Sequence, residues 1–131
     1  MTYGIKKISL LIAFLVPAMH CIHAQEIEKN DLFKTWYLEK YREDYSYYEP
    51  PTKEKSDYIL LKEDMTFVSK SEGEIEKGTW MLNTNGSYIE IKDDTGEKEK
   101  IFILYSTSKT LVVLYDIDGI REMEVHYVSC M

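Results

Sequence analysis

Past the first 24 residues, His126 and Cys130 are the residues whose types could act together, a thiol nucleophile beside an imidazole base. Four residues along an extended strand separate them by about 13 Å, too far for a direct proton transfer. Asp116-Ile117-Asp118-Gly119 begins like a calcium loop. The later oxygen ligands of such a loop are missing, so a hairpin turn suits the stretch better. Glu122 and Glu124 share one strand face, read as the solvated one. His126 and Cys130 alone cannot build a zinc site. The chain contains no G-x-S-x-G elbow, P-loop or H-E-x-x-H. These residues predict no catalysis, no metal and no cofactor.

Tyrosine is the other chemistry-bearing type. Tyr41, Tyr45, Tyr47 and Tyr48 gather ahead of Pro50-Pro51. A broad apolar ring with a polar tip suits a ligand mouth or an interface. The prolines keep the stretch 42–56 from being a regular central strand. A connection of that length is often functional. Two readings stand side by side: a lid over an opening, or rings laid on an outer wall.

The elements that must position these residues are strands. Strand patterns cover 35–41, 58–62, 66–70, 76–83, 87–92, 100–106, 110–116 and 120–129. In 87–92, Ile89 and Ile91 alternate with Tyr88 and Glu90, which means one buried and one wet face. Asn85-Gly86, Thr95-Gly96 and Asp118-Gly119 punctuate the series as hairpin turns. From residue 57 on, strand starts recur about every 9 to 12 residues, the rhythm of an all-β sandwich or barrel. Short connections between neighbours predict an antiparallel up-and-down meander of about eight strands, closing into a barrel that leaves no exposed edge. The stretch 26–33 has the composition of a short helix anchored by Ile27, Leu32 and Phe33.

The first residues read differently. Lys6 and Lys7 precede an apolar run over 8–19, and Ala24 ends a passable cleavage site. This is the layout of a secretory signal peptide, 1–24. Residues 25–34 then form an N-terminal segment, and 35–131 the barrel domain. The expected location is the periplasm, the cell surface or the outside medium. Lipid attachment at Cys21 fits less well, because His20 stands where such signals carry a small residue. The apolar run is too short to span a bilayer, and no second one follows. Removing the leader takes away two lysines and no acid, moving the formal charge from −7 to −9. That balance argues against nucleic acid and against an anionic membrane surface. Cys130 is left alone, so no internal disulfide forms.

Two tryptophan contexts carry a resemblance. Lys34-Thr35-Trp36 opens the first strand, and Gly78-Thr79-Trp80 sits in mid-chain. Between them lie Ile59, Leu61 and the turn 62-KEDMTF-67, and after them the hairpin 101-IFILYSTSKTLVVLY-115. Residues 32–128 resemble the small bacterial lipocalin-like domain family in these motifs. The resemblance implies a lipocalin-like β-barrel and is weak for function. This chain departs from the family pattern where Lys34 replaces the first glycine and Met65 the turn glycine. The residues themselves make Trp36 and Trp80 plugs of a barrel floor, with Gly78 leaving room for a neighbouring ring.

An exported barrel of this size predicts a non-catalytic binding protein, holding a small apolar or amphipathic ligand in the barrel mouth. Leu38, Ile59, Leu61, Phe67, Leu82, Ile89, Ile91, Ile103 and Val113 would line the interior, with Tyr45, Tyr47 and Tyr48 at the entrance. Eight strands enclose just enough space for side chains or one small ligand. The alternative is a filled barrel acting as a protein-interaction module, an assembly factor or inhibitor. The stretch 101–115 is apolar on both faces, so Phe102, Leu104, Val112 and Leu114 need cover. The segment 26–33 is the expected cover, with a homodimer or another protein partner, through 101–115 or the loop 42–56, as the competitor.

Overall fold

The computed structural model describes residues 27–130. The leader expected over 1–24, with Cys21, lies outside the described residues. The chain runs through nine strands, β1 (Thr35–Glu43), β2 (Ser46–Tyr48), β3 (Tyr58–Leu61), β4 (Thr66–Ser71), β5 (Glu74–Asn83), β6 (Tyr88–Asp93), β7 (Lys98–Ser106), β8 (Thr110–Tyr115) and β9 (Glu124–Val128). All pairings between neighbours are antiparallel, and β1 pairs with β9. Eight strands therefore close into a barrel, while β2 extends one flank of β1 as a short hairpin. Closure satisfies the strand edges that an open meander would leave to solvent.

Register places one side chain in two inside the barrel. Trp36 faces Ile59, Leu61 faces Phe67, Trp80 faces Ile91, and Ile103 faces Val113 across their pairs. All of these are buried, and they form one continuous core with Leu38, Ile89, Ile101, Leu111, Val125 and Tyr127. Bulges in β1 between Leu38 and Lys40, and in β7 between Ile103 and Tyr105, each insert one residue. Such an insertion restores inward alternation while bending the wall.

One end of the barrel is sealed. A 3₁₀ turn at Lys29–Leu32 buries Leu32 completely against the core. The Trp36 indole N–H donates to the Leu32 carbonyl at 3.1 Å, and the Trp80 indole N–H donates to the Lys62 carbonyl at 3.0 Å. Phe33 meets Trp80 edge-on at 5.9 Å. The two tryptophans thus do the same work: each ring fills the floor while its polar edge ties down the chain that crosses beneath. Gly78 permits this packing, since a Cβ there would collide with the Lys92 carbonyl and lie 2.8 Å from the Phe67 ring. Lys34, in place of the other glycine, lays its ammonium 5.7 Å from the Trp36 ring centre and reaches the Ser108 carbonyl. Met65 keeps the left-handed backbone that a turn glycine would adopt, at φ 68°.

Several expectations need correction. The segment 27–33 does not cover the wall of 101–115; the indole N–H of Trp36 and the ring of Trp80 hold it under the floor instead. Phe102, Leu104 and Tyr105 stay exposed. The stretch 42–56 is not strand-free, because β1 continues to Glu43 along β9 and turns back as β2 before the prolines begin. The last strand starts at Glu124 and not at 120, since 116–123 is a loop in which Arg121 binds both Asp116, at 2.7 Å, and Asp118. That guanidinium occupies the carboxylates of the apparent calcium loop. At Asn85-Gly86 the positive φ belongs to Ser87, and Gly86 instead gives way to the Tyr88 ring.

Candidate functional site

The opposite end of the barrel is polar, and alternation explains why. Continuing the inward register of Ile59 and Leu61 backwards gives Asp57. Ile101 pairs with Tyr115, and Ile91 pairs with Glu99. Leu38 and Leu111 both pair with Tyr127, and Val125 pairs with Tyr41. The inward positions near this end therefore include Tyr41, Asp57, Glu99, Tyr115 and, deeper, Tyr127. Glu76 and Asp93 join them, opposite Ser69 and Gly78. Glu76 and Glu99 point inward by register yet are exposed, so solvent reaches this end.

The connection between β2 and β3 leans over the opening. Its 3₁₀ turn at Thr52–Glu54 brings the Glu54 carboxylate to the Tyr41 hydroxyl, which donates to it. Asp57 follows, only 9 % exposed, and accepts the Glu72 N–H at 2.9 Å. Lys53 pairs with Glu72 at 3.3 Å and fastens the connection to the β4–β5 turn. Inside, the hydroxyls of Tyr115 and Tyr127 bond to each other. A cleft of about 290 Å³ at the rim is bounded by Glu76, Lys77 and Asp93–Thr95 together with Ile75. A second, of about 310 Å³, lies between Glu43 and the β8–β9 loop.

Electrostatics marks the same residues. Burial pushes the Tyr115 hydroxyl up to about 12, opposed by the Tyr127 bond and aided by the charges of Glu99 and Asp57. Burial also raises Tyr127, with Tyr115 beside it, and raises Tyr41, with the Glu54 bond adding to the effect. Asp57 is raised by burial against the pull of the Glu72 N–H. Glu99 is raised first by partial burial and then by Glu76, Asp93 and Glu97. Asp93 moves down, because it accepts from the Thr95 hydroxyl and from backbone N–H groups of its own turn. Three hydroxyls and several carboxylates thus share one end of the barrel, with two of the carboxyls shifted toward protonation.

The residues expected from the sequence divide into two groups. Leu38, Ile59, Leu61, Phe67, Ile89, Ile91, Ile103 and Val113 are buried together inside, and Leu82 packs half-buried against them. Tyr45, Tyr47 and Tyr48 are exposed on the β1–β2 hairpin. Tyr47 lies on the outer wall, 4.5 Å from the Lys40 ammonium and 5.7 Å from the His126 ring. Tyr48 stands opposite Tyr41 and so shares its face. His126 is held outside by Glu124 at 3.0 Å, and Glu124 also accepts from Arg42. Cys130 is exposed. Asp57, Glu99, Tyr115 and Tyr127 escaped the sequence reading. Carrying the alternation one step past each apolar run would have found the first three.

Among the described residues no helix is long and apolar enough to cross a membrane, and no group of His, Cys, Asp and Glu could hold a metal ion. No family model matches the chain, and no curated protein matches it significantly. A solved structure does: the crystal structure of a DUF4847 family protein from Bacteroides vulgatus ATCC 8482. It aligns at a TM-score of 0.52 with 12% identity, over 74% of this chain and 92% of that one. At that identity the likeness concerns the fold, an eight-stranded antiparallel barrel.

Proposed function

We propose that this chain is an exported, non-catalytic binding protein of lipocalin-like type, taking a small amphipathic ligand at the polar end of its barrel. The asymmetry of the barrel carries the reading. One end is plugged by Trp36, Trp80 and Leu32. At the other, inward-facing hydroxyls and carboxylates lie above the apolar side chains of Leu38, Ile59, Ile91 and Ile101. An apolar wall with a few convergent polar groups is the usual make-up of a small-molecule site. Export rests on the Lys6-Lys7 leader and its apolar run.

Native mass spectrometry of protein expressed as the full chain and purified without detergent tests both parts. A reproducible adduct of a few hundred daltons supports the ligand. A mass matching residues 25–131 supports cleavage after Ala24, and a lipid-modified mass beginning at Cys21 would replace it. Bare protein that runs as a dimer would transfer the function to the second reading, an interaction module. The exposed wall of Phe102, Leu104 and Tyr105 favours that alternative.

A further inference from the structure

We infer that the outer wall of β5–β8, toward the sealed end, docks on a lipid surface that carries anionic phospholipid. The face is separate from the polar end, so the inference stands whatever ligand that end takes.

The wall is apolar where a soluble barrel should be polar. Met81, Leu104 and Tyr105 are about half exposed, and Phe102 is exposed beside them. Register groups these side chains. Tyr88 pairs with Phe102 and meets its ring edge-on at 5.7 Å, Phe102 pairs with Leu114, and Tyr105 pairs with Val112. An exposed apolar group of this kind marks an interaction site.

The charges next to it identify the partner. Every lysine of β4–β7 points outward: Lys70 lies opposite Ile75, Lys77 opposite Val68, Lys92 opposite Thr79, and Lys100 opposite Glu90. Lys92 also stands directly opposite Lys98. Like charges so placed destabilise a sheet, and an anion lying over them relieves the repulsion. Glu90 is the one acid on the outward register of these strands, and it reaches Lys98 only at 4.0 Å. Lys100 lies 4.9 Å from the Tyr88 ring centre, at the boundary of the apolar group. Along β7, Lys100 and Lys98 stand about 7 and 13 Å from Phe102.

The turns sort charge along the barrel axis. At the sealed end, the β5–β6 and β7–β8 turns read 84-TNGS-87 and 107-TSK-109 and hold no acid. Lys34 adds a cation there, reaching the Ser108 carbonyl. Glu63 and Asp64 also lie at that end, but in the β3–β4 turn, on another side of the barrel. At the opposite end, the β4–β5, β6–β7 and β8–β9 connections hold Glu72, Asp94, Glu97, Asp118 and Glu122. The negative charge of the chain is therefore gathered mostly at the polar end, and the net value of −7 does not describe this wall.

From the sealed end upward the wall is thus apolar, then cationic, then acidic, with Ile75 beside the β4–β5 turn as the exception. A bilayer leaflet is layered to match: acyl chains, then phosphates, then water. A protein interface instead surrounds its apolar centre with a polar rim on all sides. Apolar groups of interfacial proteins enter about 5–10 Å. At that depth Lys100 meets the phosphates, and the long stems of Lys92 and Lys98 reach down to them. The acids of the polar end stay away from the anionic surface.

The test is flotation with vesicles of phosphatidylcholine, alone or mixed equally with phosphatidylglycerol, using protein expressed as the full chain. Binding to the mixed vesicles is expected to be about tenfold or more stronger than to phosphatidylcholine alone, and to weaken as salt is added. Phe102→Ser with Leu104→Ser should lower it about tenfold or more and keep the parent's thermal midpoint, since both side chains are exposed. Should that variant fold poorly, Lys92→Glu with Lys98→Glu, at exposed positions, should lower it by a similar factor. Parent and variants share one N-terminus, so any pull of the apolar run 8–19 on lipid is common to all. Full binding by either folded variant would overturn the inference, as would equal binding to the two kinds of vesicle. A lipid-free dimer that Phe102→Ser with Leu104→Ser dissociates would also overturn it, and would assign the wall to a second copy of the chain.

Discussion

The two ends of this barrel are built from the same strands and the same alternation, and they are opposites. At the sealed end, the inward positions carry Trp36, Trp80 and Phe67, all essentially without solvent. Each indole N–H finds a backbone carbonyl, so burial leaves no polar group unpaired. At the polar end, the inward positions carry Tyr41, Asp57, Glu99 and Tyr115, and the carboxyls there are pushed up in pKa. One end is optimised for stability and the other holds groups in an environment that disfavours their charge. Such separation is common where a fold reserves part of itself for binding.

Substitutions sharpen the comparison. The largest effect belongs to the floor: Trp36→Ala or Trp80→Ala should cost about 3–5 kcal/mol, read as a lowered denaturant midpoint. A well-folded Trp80→Ala protein with an unchanged midpoint would break the claim that this end carries the stability. Gly78→Ala should come next. Its Cβ meets the backbone carbonyl of Lys92, which cannot swing aside, so a loss of roughly 1–3 kcal/mol is expected. A neutral result there would mean that β5 and β6 can separate without cost.

The smallest effect distinguishes the polar end, and it has a sign. Asp57 and Glu99 titrate above their ordinary values, so the folded protein holds their protons more tightly than the unfolded chain. The stability they contribute is complete below about pH 4 and is lost as pH rises through the raised folded values. Glu99→Gln should therefore raise the thermal midpoint slightly at neutral pH and flatten the decline that sets in above about pH 4. Asp64 and Asp93 work in the opposite sense at lower pH, since the hydroxyls of Thr66 and Thr95 hold them down. If the Glu99→Gln curve runs parallel to that of the parent protein, the electrostatic contrast between the two ends falls.

The alternation of Ile59 with Leu61, and of Ile89 with Ile91, was enough to name most of the interior. The turn residues were enough to predict a meander. Local signals failed where a distant partner decided the outcome. Arg42 belongs to a strand because Glu124 lies across from it, 82 positions away. The segment at 27–33 could have lain on the outer wall or under the floor, and the indole of Trp36 chose the floor. Tyr47 was a fair candidate for a lid, but the cations of Lys40 and Arg42 draw its ring to the outer face.

By itself the sequence determined an all-β antiparallel chain, its two tryptophan plugs, its net negative charge and the absence of familiar catalytic motifs. Those properties follow from period, composition and spacing, which are local. Only the tertiary structure decided that Asp57, Glu99, Tyr41, Tyr115 and Tyr127 face inward at one end of the barrel. They lie on five different segments, and nothing short of closing β1 against β9 brings them together. Closure fixes the register of every strand at once, and register determines which side chains point inward.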